Sequence, residues 1–456
     1  MTPEQIECLG PSLGRFVEQF LFCCGDTRTF DHLGTYCRGL LSDLPRKSVE
    51  PIALASGVAV RTLQEFLKDH AWRQDEVRDL LQQYVSRALA QQPADDLGSI
   101  GILDECGTPK KGTKTPGVQR QWCGATGKKD NCIVTVHLGV ARGPYKTLVD
   151  ADLFLPESWS EDRDRCQEAG IPDHVVYRPK WRIALEQVER ATTQGIHLDW
   201  LTFDEHYGSK PEFLDDLDGR RGLYYVGEVP CSFSCVTARC YARKTVQGYS
   251  GKRADNLVRH SPVFRGQAWR RMRLTRQTLG ARIWEVKAAP VYALRNRRPT
   301  TRAYWLIVAR NVATGEVKYF VSNAPARTAL KKLLRVAFRR WNVEHVFRVC
   351  KSEIGFSHYE GRHYVGLLRH LMLCLVTMTF VSDQTEGMRG EKPGNHTGTS
   401  VPGSEHELFG VACGDTGNDT VTMHCGSHSI SPVPQSSGAA VQKKERATRN
   451  KSTVAL

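Results

Sequence analysis

The sequence predicts an α/β fold: a mixed sheet flanked by helices, with a β-rich insertion and a helical region ahead of it. Three observations predict it. From about residue 98 to 230, strand-like apolar runs alternate with helix-period segments. Basic, turn-punctuated short strands then interrupt that alternation, and helical spacing dominates on either side of the whole.

Residues 1–95 read as helical, with apolar spacing at Leu13, Phe16, Val17, Phe20 and Leu21 and again at Val77, Leu80, Leu81 and Val85. Between them, Ser48 to Lys68 forms two short helical patterns joined at Gly57. That layout suits a helix-turn-helix reader with Arg61 and Lys68 against DNA, and equally an ordinary helical hairpin. The first part of the core spans 96–235. Gly101–Asp104, Asn131–Ala141 and Tyr145–Phe154 read as successive strands, the first two linked by a basic, glycine-rich loop. A helix over Lys180–Thr193, a strand over Leu198–Asp204, a helix opened by Pro211 and a strand over Leu223–Val229 follow. The order β-β-β-α-β-α-β sets the first and fourth strands side by side, so that Asp104 and Asp204 meet at strand ends.

Residues 236–324 form the insertion, in which 16 Lys or Arg face two acids between Arg239 and Arg298. This excess equals the +14 net charge of the whole 456-residue chain. Tyr249, Trp269, Trp284 and Tyr292 are interleaved with it, the mixture expected of a nucleic-acid track: cations for phosphates, rings for bases. Residues 325–382 return to the core with a helix over 327–353, its buried stripe being Leu330, Leu334, Phe338 and Trp341. The stretch 383–456 is rich in Gly, Ser and Thr, with Phe409 its only Phe, Tyr or Trp, and is expected to be a disordered tail.

The charge directs the chain toward polyanions, DNA first. The 15 cysteines are scattered without a Cys-x-x-Cys pair, which disfavours a disulfide framework and a common zinc knuckle. The longest apolar run, Leu371–Val381, is short and broken by Thr377 and Thr379, so no membrane span is expected. The start, Met1-Thr-Pro-Glu-Gln, has no cationic and apolar leader, and the expected location is cytoplasmic, associated with the nucleoid.

Three carboxylates carry the candidate chemistry. Asp104 and Asp204 each follow a strand-like run, and Glu344 lies on the late helix with Arg340 at i−4 and Lys351 at i+7 on the same face. Phosphodiester cleavage needs an activated water or hydroxyl and a stabilised leaving oxygen, which two Mg²⁺ ions held by a few carboxylates supply. Lys110 and Lys111 follow Asp104 in a turn able to bring them to a phosphate.

The chain resembles the DDE transposases of bacterial insertion sequences, in the branch whose ribonuclease H-like core is interrupted by a β-strand insertion before the catalytic glutamate. The resemblance rests on Leu103-Asp104-Glu-Cys-Gly-Thr-Pro-Lys-Lys-Gly112, Gly117-Val-Gln-Arg120-Gln-Trp-Cys-Gly124, Asn131-Cys-Ile-Val and Phe203-Asp204-Glu-His-Tyr-Gly208. It continues in Phe320-Val-Ser-Asn-Ala-Pro325, Arg340-x-x-x-Glu344-x₆-Lys351, Glu360-Gly-Arg362 and Arg369-His370. The resemblance implies Asp104, Asp204 and Glu344 as catalytic metal ligands for two Mg²⁺ ions, with Mn²⁺ able to substitute. It implies phosphate contacts from Lys110, Lys111, Arg120, Arg340 and Lys351. It also implies a homodimer that binds terminal inverted repeats, cuts them and joins the 3′-OH ends to target DNA, the N-terminal helices reading the ends. Trp269, Trp284 or Trp305 would stack on a base displaced in a hairpin intermediate, as in similar enzymes, or pack in the core, the more common role for any one of them. Two positions depart from the pattern: Ala337 stands where the signature has tyrosine, and Cys106 where similar enzymes have a hydroxyl. Ala337 and the extended tail support the alternative, a catalytically impaired or repurposed transposase acting as a sequence-specific DNA-binding protein, and the three intact carboxylates argue against it.

Overall fold

The computed structural model describes residues 9–390 apart from 94, 221 and 277–279. The expected tail from 391 onward lies outside the described residues. Among the described residues the first α-helices are α1 (Leu9–Glu18), α2 (Thr27–Leu41), α3 (Val49–Ala55), α4 (Val60–Lys68) and α5 (Gln74–Gln91). Asp26 caps α2 by accepting from the Thr29 amide. The α3–α4 turn passes through Gly57 at φ +65°, where a side chain would be strained. Leu63, Phe66 and Leu67 bury one face of α4, while Arg61 pairs with Glu65 on the outside.

The core begins with β1 (Ile100–Pro109), β2 (Gln119–Cys123), β3 (Lys128–Arg142) and β4 (Tyr145–Leu153). The short helices α6 (Glu157–Ser160) and α7 (Arg163–Glu168) lead to α8 (Lys180–Thr193), β5 (Trp200–Thr202), α9 (Glu205–Gly208), α10 (Pro211–Gly219) and β6 (Tyr224–Val229). As the sequence predicts, β1 lies beside β5, in parallel register with Ile100 opposite Trp200 and Ile102 opposite Thr202. This arrangement buries Leu103, Leu201 and Phe203 between the sheet and α8 and α10.

Two sequence expectations change here. β1 does not end at Asp104 but pairs with β3 through Pro109 opposite Cys132, so Asp104 sits mid-strand opposite His137. Gly107 and Pro109 resemble a turn in sequence, yet the ladder to β3 outweighs them, with Pro109 at the strand's last position where a missing amide costs least. The expected loop between the first two strands also contains β2, an edge strand on β3.

After β6 come β7 (Ser234–Val236), β8 (Arg243–Thr245), β9 (Gly248–Ser250), β10 (Lys252–Arg253), α11 (Ala254–His260) and α12 (Pro262–Arg265). β11 (Arg270–Arg276), β12 (Gly280–Arg295), β13 (Arg298–Pro299), β14 (Tyr304–Asn311) and β15 (Val317–Ser322) complete the insertion. Apart from β8 and β9, which pair only with each other, its strands continue the core sheet: β15 pairs with β6, and the ladder runs β10-β7-β12-β14-β15-β6-β5-β1-β3-β2 among the described residues. Asp218 of α10 ties the insertion to the core by accepting from Arg295, Arg302 and the Tyr304 hydroxyl.

The long helix α13 (Leu330–Ser352) crosses the sheet and buries Leu333, Leu334, Val336 and Phe338. Trp284 of β12 is fully buried against Phe338 and Trp341, with ring centroids 4.7 and 6.1 Å away. The expected base-stacking role therefore does not suit this tryptophan in this conformation. Trp305 donates to the Pro325 carbonyl, and Trp269 lies under Lys287 and Arg310.

The last described helix, α14 (Tyr364–Gly390), runs past the boundary expected at 382. Contrary to the sequence reading, it is long and apolar enough to cross a membrane, but 89% of its most apolar window is buried inside the protein, as befits a core helix. Its Arg369 donates to the carbonyls of Phe66, Leu67, His70 and Trp72 and lies over the Trp72 ring, closing the C-terminal end of α4. The N-terminal helices and α14 thus share one apolar cluster with α13.

Candidate active site

Asp104 is fixed by β1, whose central position leaves its carboxylate only 16% exposed. It accepts from the Glu105 amide at 2.8 Å and from Arg340 Nη1 at 3.0 Å. Burial pushes its carboxyl up to about 7; Arg340 opposes that rise and the Asp204 charge adds to it. The two aspartates therefore share one electrostatic site.

Asp204 follows β5 by two residues and caps α9, accepting from the amides of His206 (3.0 Å) and Tyr207 (3.4 Å). Two glycines make that placement. A Cβ at Gly208 would stand 1.9 Å from the Glu228 carbonyl oxygen, and one at Gly227 1.9 Å from the Phe203 ring. Only backbone fits there, so α9 rests directly on β6 and Phe203 lies flat against it.

Glu344 extends from α13 at half exposure, and Arg340 Nη2 reaches its carboxylate at 3.2 Å. The guanidinium of Arg340, itself 16% exposed, thus bridges Asp104 and Glu344. Asp104, Glu344, Asp204 and Glu228, in that order, favour its charged form against the penalty of burial. Sequence phase had set Arg340 beside Glu344; the bridge to Asp104 is added by the packing of α13 across β1.

The other expected cations are spread out. The Lys351 ammonium lies beside the Cys106 thiol, which burial pushes up and Lys351 holds down. His137 beside it is lowered to about 3, by burial first and Lys351 second. Lys110 turns inward to the carbonyls of Ser357 and Tyr359 (3.4 and 2.5 Å), and burial lowers it to about 8. Lys111 and Arg120 are exposed on the loop and on β2. Ala337 is 4% exposed, its carbonyl accepting from the Thr202 hydroxyl at 3.5 Å, so the position of the signature tyrosine is enclosed against β5.

Sequence reasoning missed a second polar group on the other side of β1. Strand alternation turns Glu105 away from Asp104, to Lys180 Nζ at 2.5 Å and His206 Nε2 at 3.6 Å, near the buried Tyr207 hydroxyl. Extending the first strand past Asp104 would have revealed it.

The donor set of Asp104, Asp204 and Glu344 is all hard oxygen, the chemistry a divalent cation takes, and burial is the first cause of the raised Asp104 carboxyl. Among the described residues no group of three or more His, Cys, Asp or Glu side chains is disposed to hold a metal ion. The Arg340 guanidinium stands between Asp104 and Glu344, and Mg²⁺ takes few protein ligands since it retains waters.

A mixed sheet with parallel β1 and β5, an antiparallel β1–β3–β4 meander and α13 across it defines a nucleic-acid enzyme fold of the ribonuclease H-like type. The chain belongs to the DDE superfamily endonucleases, whose family model matches residues 19–285. It is also similar to a probable transposase for insertion sequence element IS701 from Microchaete diplosiphon, 26% identical over 342 residues, 74% of this chain and 79% of that protein. The sequence-based assignment to the insertion-sequence transposases thus holds, and with it a general role in DNA transposition. The family match contains Asp104 and Asp204 and ends before Glu344.

Proposed function

We propose that the chain cleaves DNA at the terminal inverted repeats of its own element and joins the freed 3′-OH ends to target DNA, with Asp104, Asp204 and Glu344 as the acidic site. One observation carries the reading: Arg340 draws Asp104 and Glu344, distant in sequence, onto one guanidinium beside Asp204. A structural helix face has no use for three carboxylates gathered at such electrostatic cost.

Two bound Mg²⁺ ions, or Mn²⁺ in their place, would supply positive charge to the scissile phosphate and to its attacking and leaving oxygens. Asp104 and Asp204 would hold them from the strands, and Glu344 from the helix. Arg340, beside the same carboxylates, would hold a phosphate oxygen, for which its planar fork suits paired hydrogen bonds. Lys351, Lys111 and Arg120 add charge along the DNA, while Lys110 acts by fixing the 357–359 loop. The exposed Arg270, Arg271 and Arg273 of β11 extend the basic surface, and the N-terminal helices are the proposed reader of the element's ends. A homodimer pairing two ends, working in the cytoplasm at the nucleoid, completes the proposal.

The test is cleavage of an end-containing duplex with Mg²⁺ by wild type and Asp204→Asn, with binding measured alongside. The reading expects the Asp204→Asn variant to bind the end and leave it uncut; cutting at the wild-type rate would refute it. The alternative, a binding protein without catalysis, expects wild type itself to bind and not cut.

A further inference from the structure

We propose that the β2–β3 hairpin is a separate DNA-contact element, in which the Trp122 ring stacks on the base exposed beside the cut while Lys111, Arg120 and Lys129 hold neighbouring phosphates. The inference rests on the reading of this chain as a DNA-cleaving enzyme and adds a contact which that reading does not contain.

Register fixes the faces of the hairpin. Trp122 pairs with Lys129, Arg120 with Asn131 and Gln121 with Asp130. Directly paired residues share a face, and so do residues two apart, which places Arg120, Trp122, Lys129 and Asn131 together. Cys123, Cys132 and Val134 on the other side are buried against one another and Phe154, and they anchor the hairpin. The outer face is open: Trp122 is 62% exposed, a large ring left in water among cations. Asp130, the hairpin's acid, falls on the other face. Among the described residues, no ion pair involves Arg120, Lys128 or Lys129.

The loop before β2 joins the same face. Asn131 Nδ2 donates to the carbonyls of Lys110 (2.7 Å) and Gly112 (2.8 Å), which pins the backbone on either side of exposed Lys111. The hairpin also leans on β1. A Cβ built at Gly107 would lie 3.1 Å from Cys123 Sγ and 3.2 Å from Cys123 Cα and the Gly124 amide, so glycine is what admits this contact. Gly107 is three residues from Asp104, roughly 10 Å along the strand. The residue next to Trp122 is therefore placed within a few nucleotides of a phosphate held at Asp104.

The chemistry selects nucleic acid over protein. A protein interface centres on apolar area and is depleted in lysine. A flat ring ringed by lysine and arginine matches a base and its flanking phosphates.

The experiment uses the full-length protein and a duplex of the element's end, intact or already cut, with 5-iodouracil placed at successive positions beside the cut and Ca²⁺ replacing Mg²⁺. Trp122→Ala and Trp122→Tyr are compared with wild type by crosslinking, binding and thermal melting. The proposal expects a crosslink from Trp122 to a base beside the cut and a melting temperature unchanged by either substitution. It expects Trp122→Ala to weaken binding of the cut end by roughly five- to a hundred-fold, the span of one lost base–ring stack, and Trp122→Tyr to stay near wild type. Unchanged binding of the cut end by Trp122→Ala overturns the proposal and leaves the parent reading standing, whether or not self-association shifts and marks the hairpin as a protein contact. A wild type that neither binds nor cuts the end overturns both.

Discussion

Replacing Arg340 by alanine removes the guanidinium that bridges Asp104 and Glu344 at 3.0 and 3.2 Å. At an effective dielectric of about 20, each contact at such separations is worth on the order of 4 kcal/mol of attraction. Much of that is offset by the cost of burying the cation, and truncating one partner of a buried pair costs roughly 3–5 kcal/mol net. Glu344 is half exposed, so the Asp104 arm dominates the loss. Without Arg340, the main influence lowering Asp104 is gone, and its carboxyl rises further above about 7. In EDTA, Arg340→Ala should melt several degrees below wild type, on the scale of about 2–4 °C per kcal/mol or less for a chain of this size. Millimolar Mg²⁺ or Mn²⁺ should close most of that gap, because the cation replaces the missing charge between the same carboxylates. Differential scanning fluorimetry across a metal titration reads both effects. Equal melting temperatures in EDTA, or a gap indifferent to metal, would refute the account of Arg340 as the counter-ion of a cation site.

Other outcomes follow from the packing. Gly208→Ala places a methyl within 1.9 Å of the Glu228 carbonyl oxygen, so α9 must shift; a loss of roughly 1–3 kcal/mol, measured by urea unfolding, should accompany slower DNA cleavage, and wild-type values for both would contradict the placement of Asp204. Ala337→Tyr restores the signature residue at an enclosed position and should destabilise by a similar amount without raising cleavage; a faster enzyme would show that the departure is a true loss of function. His370, fully buried with Tyr36 and Gly355, is lowered to about 3, by burial first. The unfolded chain gains its proton near 6.5 and the folded one only near 3, so stability present above that window falls with falling pH, by up to about 1.4 kcal/mol per unit. His370→Gln should flatten the fall of the urea midpoint between neutral and mildly acid pH by that one group; an unchanged slope would remove the assignment.

The sequence carried the order of core elements because helix and strand periods differ and the buried parallel strands are short and apolar. The α8 helix over Lys180–Thr193 matches its expected range. Strand ends were less legible. Gly107 and Pro109 look like punctuation, and only the long-range ladder to β3 and the hairpin leaning on Gly107 reveal why β1 continues. The same long-range pairing hides the insertion's continuity with the core, since the bond between β15 and β6 leaves no local signal. At the candidate site, helical phase placed Arg340 with Glu344, yet Arg340 reaching Asp104 and Lys110 turning inward depend on how α13 and the 357–359 loop pack. Trp284 illustrates the same limit: in sequence an aromatic among cations suits base stacking or core packing, and only the cover of Phe338 and Trp341 decides for the core.

Glu344 lies beyond the family match and rests on geometry, so it offers the most direct test of the central claim. Cleavage and binding of an end-containing duplex should be measured for wild type and Glu344→Gln with Mg²⁺. The account predicts that the variant binds the end as wild type does and cuts it more slowly by roughly a hundred- to a thousand-fold or more, the scale of losing one charge-stabilising group. Cutting by Glu344→Gln at the wild-type rate would contradict it.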